Sequence, residues 1–124
     1  MQRESKEQEA LIEYCDYTNI PIFAIPNGGF RDKKEAYFLK RTGVKAGVPD
    51  LFVPVARGGF FGLFIEMKWG RNKTTPQQDE WLGLLAKNHY RCCVCYGADA
   101  AVKAIKAYMK EPPTYDFVVG TPVK

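Results

Sequence analysis

Apolar residues recur along this chain at two different periods. Three segments repeat every three or four positions, as one face of a helix does: about Glu4 to Tyr17, Thr75 to about Asn88, and Ala98 to Met109. Four shorter runs, rich in β-branched and aromatic residues, predict strands at Ile22–Ile25, Gly47–Val53, Phe60–Trp69 and Arg91–Tyr96. The predicted order α-β-β-β-α-β-α favours the α/β class, with a central sheet flanked by helices on both sides.

The second and third predicted strands are joined by a segment with turn chemistry. Residues 54–59 end in Gly58-Gly59, a pair that favours a tight reversal of the chain. The two strands therefore fold back on each other as a hairpin. Such a hairpin allows Asp50 on one strand to meet Glu66 on the other.

Charged side chains interrupt the third strand in a regular way. Side chains alternate faces along a strand, so Glu66 and Lys68 point to one side while Ile65, Met67 and Trp69 point to the other. Two carboxylates placed together repel each other unless a proton or a cation lies between them. Hard divalent cations such as Mg²⁺ accept carboxylate and phosphate oxygens together, and they suit phosphodiester hydrolysis. The ordinary alternative is an ion pair on a solvated strand.

Composition is that of one globular domain. The chain has 124 residues, 46% of them hydrophobic, which is enough to bury a single core, and we predict one domain over 1–124. Pro112-Pro113 ends the last helix. Residues 111–124 then form a C-terminal extension, in which Thr114 to Lys124 are expected to be either a strap or a dimer arm.

Positive charge flanks the proposed acidic centre. The 18 basic and 14 acidic residues give a net charge of +4, which is mild for a nucleic-acid-binding protein. Their distribution is more informative, because basic residues both precede the first acidic strand and follow the second. We predict that DNA phosphates contact Arg31, Lys33, Lys34, Lys40, Arg41, Lys45, Arg71 and Lys73. The alternative is a solvated basic loop, and salt dependence of binding distinguishes the two.

Several other function classes lack support. Cys15, Cys92, Cys93 and Cys95 do not have the spacing of zinc ligands or of a disulfide framework, so a reducing cytoplasm is the simpler expectation. His89 is the single histidine, in a predicted helix-to-strand connection. No run is long and apolar enough to span a bilayer, and the first residues show no signal-peptide pattern. We expect no membrane partner and no organic cofactor.

Three motifs together resemble the VRR-NUC branch of the PD-(D/E)XK nuclease superfamily. They are Lys40–Leu51, which contains Pro49-Asp50, then Gly62–Lys68, which contains Glu66-Met67-Lys68, and then Thr75–Leu82. The resemblance extends over roughly Glu4 to Met109, and the Ile25-Pro26-Asn27-Gly28-Gly29 stretch is similar to compact phage-type or bacterial stand-alone members. It implies a restriction-endonuclease-like core.

The same resemblance implies roles for individual residues. Asp50, Glu66 and the backbone carbonyl of Met67 correspond to the metal ligands of the family, and Lys68 to its catalytic lysine. Gln78 matches a glutamine early in the helix after the catalytic strand. Thr75-Pro76-Gln77-Gln78 also reads as a capping box, so Gln78 has a structural alternative.

A further acidic ligand is expected from the first helix. Glu4, Glu7, Glu9 and Glu13 compete for that role. Glu7 shares a core-facing stripe with Ala10, Leu11 and Tyr14, so we predict Glu7.

The activity implied is that of a Mg²⁺- or Mn²⁺-dependent DNA endonuclease. Stand-alone relatives resemble structure-specific enzymes that act as homodimers on four-way (Holliday) junctions or other branched DNA. A cytoplasmic location is expected, in the host cytoplasm if the chain is phage-encoded. A non-catalytic DNA-binding or assembly module on the same fold is the alternative. A small-ligand or protein-interaction domain with an incidental basic surface is a third.

Overall fold

A computed structural model describes residues 2–26 and 32–114 of the chain, and all structural statements concern these residues. Eight elements follow one another: α1 (Gln2–Tyr17), β1 (Phe23–Ala24), α2 (Lys33–Arg41), β2 (Leu51–Val53), β3 (Leu63–Lys68), α3 (Pro76–Lys87), β4 (Arg91–Tyr96) and α4 (Ala98–Lys110). The predicted mixed α/β class is confirmed. Arg31 and the Asn27-Gly28-Gly29 turn lie outside the described residues, as does the extension beyond Thr114.

Helix α2 was absent from the predicted element order. Charged residues dominate its sequence and obscure its apolar positions, so the sequence pattern predicts a polar loop instead of a helix. A signal was nevertheless present at its start, because the side chain of Asp32 caps the helix by accepting a 2.8 Å hydrogen bond from the backbone N–H of Glu35. Gly43, with φ of 114°, follows the helix end.

The sheet has the strand order β1-β2-β3-β4. β2 pairs antiparallel with both β1 and β3, whereas β3 and β4 are parallel, with α3 forming the crossover between them. The predicted β2–β3 hairpin is confirmed. Gly58 and Gly59 both have positive φ, of 60° and 88°, as the two central residues of a type I′ turn require.

The core lies on one face of the sheet, under α1 and α4. Leu51, Val53, Leu63, Ile65 and Met67 alternate onto this face. Residues from the two helices and from β4 complete it: Leu11, Cys15, Cys95, Ala101, Ile105 and Tyr108. Helix α3 covers part of the opposite face, where the thiol of Cys92 contacts the Leu82 carbonyl at 3.7 Å. Glu66 and Lys68 belong to this opposite face, as the alternation predicts.

Residues 112–114 are tied to the β2–β3 turn. The Gly58 N–H donates to the Pro112 carbonyl at 2.7 Å, and the Thr114 hydroxyl donates to the Phe60 carbonyl at 2.9 Å. These bonds hold the first residues of the C-terminal extension against the turn. No helix in the described ranges is long and apolar enough to cross a membrane.

Candidate active site

A cavity of about 770 Å³ lies where β2 begins and β3 ends. One wall comes from helix α1, through Glu4, Ser5, Gln8, Glu9, Ile12 and Glu13. The floor is formed by Asp50 and by the end of β3, from Glu66 to Trp69, and Gln78 of α3 lies on the other side. Residues that are far apart in the sequence thus line a single concave site.

Strand register brings Asp50 and Glu66 together. Leu51 pairs with Ile65, so one further step of the antiparallel ladder sets Asp50 opposite Glu66. The Asp50 carboxylate also accepts a 2.8 Å hydrogen bond from the backbone N–H of Met67. This bond fixes the Asp50 side chain against β3, and the predicted meeting of the two carboxylates is confirmed.

Glu66 is in an electrostatically unfavourable position. Its side chain is only 2% exposed, and its Oε1 atom has no hydrogen-bond partner among the described residues. Burial, and then the neighbouring Asp50 carboxylate, raise the pKa of Glu66 to about 8, while the Lys68 ammonium acts in the opposite direction. Such a carboxylate is stabilised by a proton or by a cation.

Lys68 lies on the same face of β3, two residues after Glu66. Its Nζ is 3.8 Å from Glu66 Oε2, and the side chain is 12% exposed. The distance is too long for a hydrogen bond, so the two charges interact mainly through space. Lys68 also lines the cavity.

The Met67 carbonyl lies on the Asp50 side of β3. In a strand, the N–H and C=O of one residue point to the same side. The Met67 N–H is bound to Asp50, and the next carbonyl, that of Lys68, points to the other side, where it accepts from the Gly97 N–H at 3.1 Å. Asp50, Glu66 and the Met67 carbonyl therefore offer three oxygen donors to one region.

Gln78 serves the helix terminus and lines the cavity at the same time. The backbone N–H of Gln78 donates to the Thr75 hydroxyl at 3.2 Å, and the Thr75 N–H donates to Gln78 Oε1 at 2.9 Å. The predicted capping box is therefore confirmed. Gln77, the preceding residue, is exposed and is not among the residues that line the cavity.

The approach to Asp50 is fixed by close backbone packing. Gly47 has φ of 91°, and a Cβ atom there would lie 2.8 Å from the carbonyl carbon of Gln77. Only glycine allows this approach together with that backbone conformation. The 42–49 segment is thereby held against the start of α3, which couples the positions of Asp50 and Gln78.

The structure places Glu7 outside this cavity. Its Oε1 accepts a 3.1 Å hydrogen bond from the Ala98 N–H at the start of α4, where the N-cap residue Gly97 has no side chain to do so. Arg3 lies 3.8 Å from the same carboxylate. The prediction of Glu7 assumed that the core-facing stripe of α1 also faces the site. The cavity is instead lined by the neighbouring stripe.

The predicted basic contacts are exposed wherever the structure describes them. Arg31 lies outside the described residues. The other seven are distributed over α2, over the segment leading to β2 and over the loop after β3: Lys33, Lys34, Lys40, Arg41, Lys45, Arg71 and Lys73.

No cluster of three or more His, Cys, Asp or Glu side chains with the arrangement of a metal site occurs in 2–26 and 32–114. Among these residues, neither Glu7 nor another such side chain extends the Asp50–Glu66 pair to a cluster of three.

Comparison with known proteins identifies similar chains. A family model described as the VRR-NUC domain matches residues 26–99, which include Asp50, Glu66, Lys68 and Gln78. A solved structure described as a VRR_NUC domain protein is 33% identical, with a TM-score of 0.74, and the match covers 90% of this chain and 91% of that one. No curated protein sequence matched. Sequence motifs, fold and site geometry agree, and the chain belongs to the VRR-NUC family of nuclease-like domains.

Proposed function

We propose that the protein is a divalent-metal-dependent endodeoxyribonuclease that hydrolyses phosphodiester bonds in branched DNA. The observation that carries this proposal is the buried Glu66 carboxyl beside the partly buried Asp50, with one Glu66 oxygen lacking a hydrogen-bond partner within the described chain. A buried carboxyl group with an unpartnered oxygen is costly to stability, and such groups cluster at functional sites.

The donor set fits a hard cation. Asp50, Glu66 and the Met67 carbonyl present only oxygen atoms, which suit Mg²⁺ or Mn²⁺. The open cavity leaves room for waters and for a phosphate group. A cation bound there would polarise the phosphoryl group and lower the pKa of an attacking water. The chain's own contribution is to hold the ligands on two paired strands.

Lys68 and Gln78 complete the proposed machinery. The Lys68 ammonium stabilises the negative charge that develops on the phosphate, or orients the attacking water, from its place beside Glu66. Gln78 contributes from the start of α3, where its amide faces the cavity while its oxygen maintains the cap. In this proposal the catalytic groups rest on rigid elements rather than on loops.

The carboxylate from the first helix is reassigned. Glu4, Glu9 and Glu13 line the cavity and Glu7 does not, so we propose that one of those three supports the metal site. All four candidates lie on one helix. Alanine substitution at each of them therefore changes helix propensity by the same amount, so differences in cleavage report the position of the carboxylate.

Glu7→Ala is expected to lower the free energy of unfolding by about 0.5–2 kcal/mol, because the Ala98 N–H loses its cap. Cleavage at a temperature where the variant is folded should match wild type. Among Glu4→Ala, Glu9→Ala and Glu13→Ala, at least one should reduce cleavage without a similar loss of stability. Thermal unfolding and single-turnover cleavage measure both effects, and loss of cleavage in folded Glu7→Ala alone would contradict the reassignment.

The proposed substrate is branched DNA, and the proposed active form is a homodimer. Exposed basic residues lie on α2 and on the loops before β2 and after β3, and they could contact phosphates of more than one DNA arm. A two-fold dimer would offer two sites to a four-way junction of matching symmetry. Light scattering tests this part directly, since a monomer mass under cleavage conditions contradicts it.

The decisive experiment offers the purified chain a panel of labelled DNA: linear, flapped, nicked and four-way, each with Mg²⁺, Mn²⁺ or a chelator. We expect metal-dependent cuts near the branch point of the four-way and flapped substrates and slower cutting of linear duplex. The absence of cleavage on every substrate with either metal would overturn the proposal.

A non-catalytic DNA-binding or assembly module is the second candidate. The basic surface would serve it equally well, but the intact Asp50, Glu66 and Lys68 favour an enzyme. Binding without cleavage on the same panel identifies this alternative. Binding that does not weaken between low and moderate salt would instead favour an interaction domain of another kind.

A further inference from the structure

Helix α2 carries aromatic and basic side chains and does not pack closely against any other described helix or strand. None of its residues is buried. Tyr37 is 64% exposed and Phe38 is 63% exposed, and Lys34 and Arg41 are exposed beside them. These four residues are called the α2 stripe.

The α2 stripe is one continuous surface. Positions 34, 37, 38 and 41 follow the spacing that places residues on a single helix face. The partly buried residues, Glu35, Ala36 and Leu39, occupy the opposite side. The Arg41 guanidinium lies 5.6 Å from the centroid of the Tyr37 ring, so one cation is already held over an aromatic face.

Two adjacent exposed rings have no role in the core of this protein. They are absent from the core cluster and from the residues packed against it. Large exposed apolar surface in a soluble protein commonly marks an interaction site. The α2 stripe is therefore a candidate surface for binding a partner.

Charge identifies the partner as a polyanion. Within Lys33–Arg41 there are four basic residues and a single acidic one, Glu35. A second copy of this chain, with a net charge of +4, is a poorer electrostatic match for that helix. Nucleic acid supplies both the negative charge and flat aromatic surfaces.

The two exposed aromatic rings favour unpaired bases over duplex DNA as the ligand. Stacking requires an accessible base face, and duplex DNA exposes only base edges in its grooves. Lysine and arginine contact phosphates of either form. A surface that combines rings with cations therefore gains most from DNA in which bases are unpaired.

We propose that the α2 stripe binds unpaired bases near the branch point of the DNA substrate, with Tyr37 and Phe38 stacking on bases and Lys34 and Arg41 contacting the flanking phosphates. The inference rests on the proposed nuclease function and specifies the substrate class. It assigns recognition of DNA structure to a surface that is separate from the catalytic cavity.

The chain connects this surface to the site over a short distance. Thr42 caps the end of α2, and eight residues further on lies Asp50. Eight residues span at most roughly 28 Å, which is less than about one 34 Å turn of duplex. Gly47 also anchors the connection against α3. Tyr37 precedes Thr42 by five helical residues, which add about 7.5 Å, so unpaired bases on α2 and the phosphate to be cut should lie within about one turn of DNA.

The test is a binding and cleavage comparison of wild type with the double variant Tyr37→Ala/Phe38→Ala. Binding is measured with Ca²⁺ in place of Mg²⁺, on four-way DNA, on DNA with a short unpaired gap, and on linear duplex. We expect affinity for the gapped and four-way DNA to fall about thirtyfold or more and duplex affinity to be nearly unchanged, because two bases lose their stacking partners. Wild type should quench the fluorescence of a 2-aminopurine placed in the gap, and the double variant should not.

Two matched variants separate the contributions. Tyr17→Ala removes an aromatic ring that is 89% exposed on α1, and it should leave binding unchanged. Lys34→Ala/Arg41→Ala should weaken binding to all three DNAs and lower the salt slope of log K by about 1.8. Thermal unfolding should report the same stability for each variant, because none of the substituted side chains is buried.

Each outcome has a definite meaning. If Tyr37→Ala/Phe38→Ala changes duplex and gapped binding equally, or changes neither, the base-stacking inference is wrong even when wild type still cuts branched DNA. A change of molecular mass in the double variant, with DNA binding intact, would assign the stripe to a contact between copies instead. Failure of wild type to cut any DNA would remove the nuclease proposal itself.

Discussion

Glu66→Gln is expected to reduce DNA cleavage by about 10³-fold or more and, without metal, to make the protein more stable at alkaline pH. Glutamine has nearly the same shape but lacks the negative charge that a cation needs. The activity loss follows from the removal of one of the two carboxylates. The gain in stability follows from the removal of a buried charge with an unpartnered oxygen.

The pH dependence of this stability has a definite sign. The pKa of Glu66 is raised from 4.5 to about 8 in the folded protein, so between these values the folded state holds a proton that the unfolded state has lost. The stabilising contribution of protonated Glu66 is therefore complete below about pH 4.5 and is lost as pH rises through about 8. Above pH 8, metal-free Glu66→Gln should be more stable than wild type by about 1–3 kcal/mol, whereas near pH 4.5 the two should converge.

Bound metal should make wild type more stable than Glu66→Gln at pH 8. A cation that binds only the folded protein stabilises it by about 2.7 kcal/mol at one hundred times its dissociation constant. We expect Mn²⁺ to raise the melting temperature of wild type at pH 8 and to have little effect on Glu66→Gln. Glu80→Gln, an equivalent change on the exposed side of α3, serves as the control. An equal response to Mn²⁺ in wild type and Glu66→Gln would show that Glu66 is no ligand.

Lys68→Met should reduce cleavage by about 10²–10³-fold while leaving metal binding intact. Methionine retains most of the length and apolar contact of the lysine stem but has no ammonium. Lys68 lies 3.8 Å from Glu66, where it reduces the repulsion between the two carboxylates. Its removal should therefore leave the response of the melting temperature to Mn²⁺ equal to that of wild type, or larger.

The combination of the two readouts separates the roles of Glu66 and Lys68. A metal ligand affects both cleavage and metal-induced stabilisation, whereas a group that acts on the phosphate or water affects cleavage alone. Lys103→Met, an exposed lysine of α4, controls for the loss of one positive charge. Cleavage by Lys68→Met at the wild-type rate would exclude a chemical role for this lysine.

Local sequence information was sufficient for the centre of the site. The Gly58-Gly59 turn reverses the chain, and the β2–β3 register, in which Leu51 pairs with Ile65, places Asp50 opposite Glu66. Strand alternation then separates Glu66 and Lys68 from the core-facing Ile65 and Met67. These features follow from short-range geometry, in which each residue's face depends only on its neighbours.

The first helix marks the limit of that reasoning. Its periodicity identified a core-facing stripe, and Leu11 is indeed fully buried. The pattern did not indicate that the start of α4 meets this stripe at Glu7, or that the cavity opens beside the neighbouring one. Such placement depends on how α1 packs across the sheet, and no local pattern in the chain encodes the angle between them.

The sequence by itself determined the strands, the capping box at Thr75 and the carboxylate pair, because these depend on residue types at fixed short spacings. Only the tertiary structure decided which α1 carboxylates line the cavity, that Glu7 caps α4, and that α2 exposes an aromatic and basic surface. Those features arise from contacts between elements that are distant in the chain, where packing overrides periodicity and local propensity.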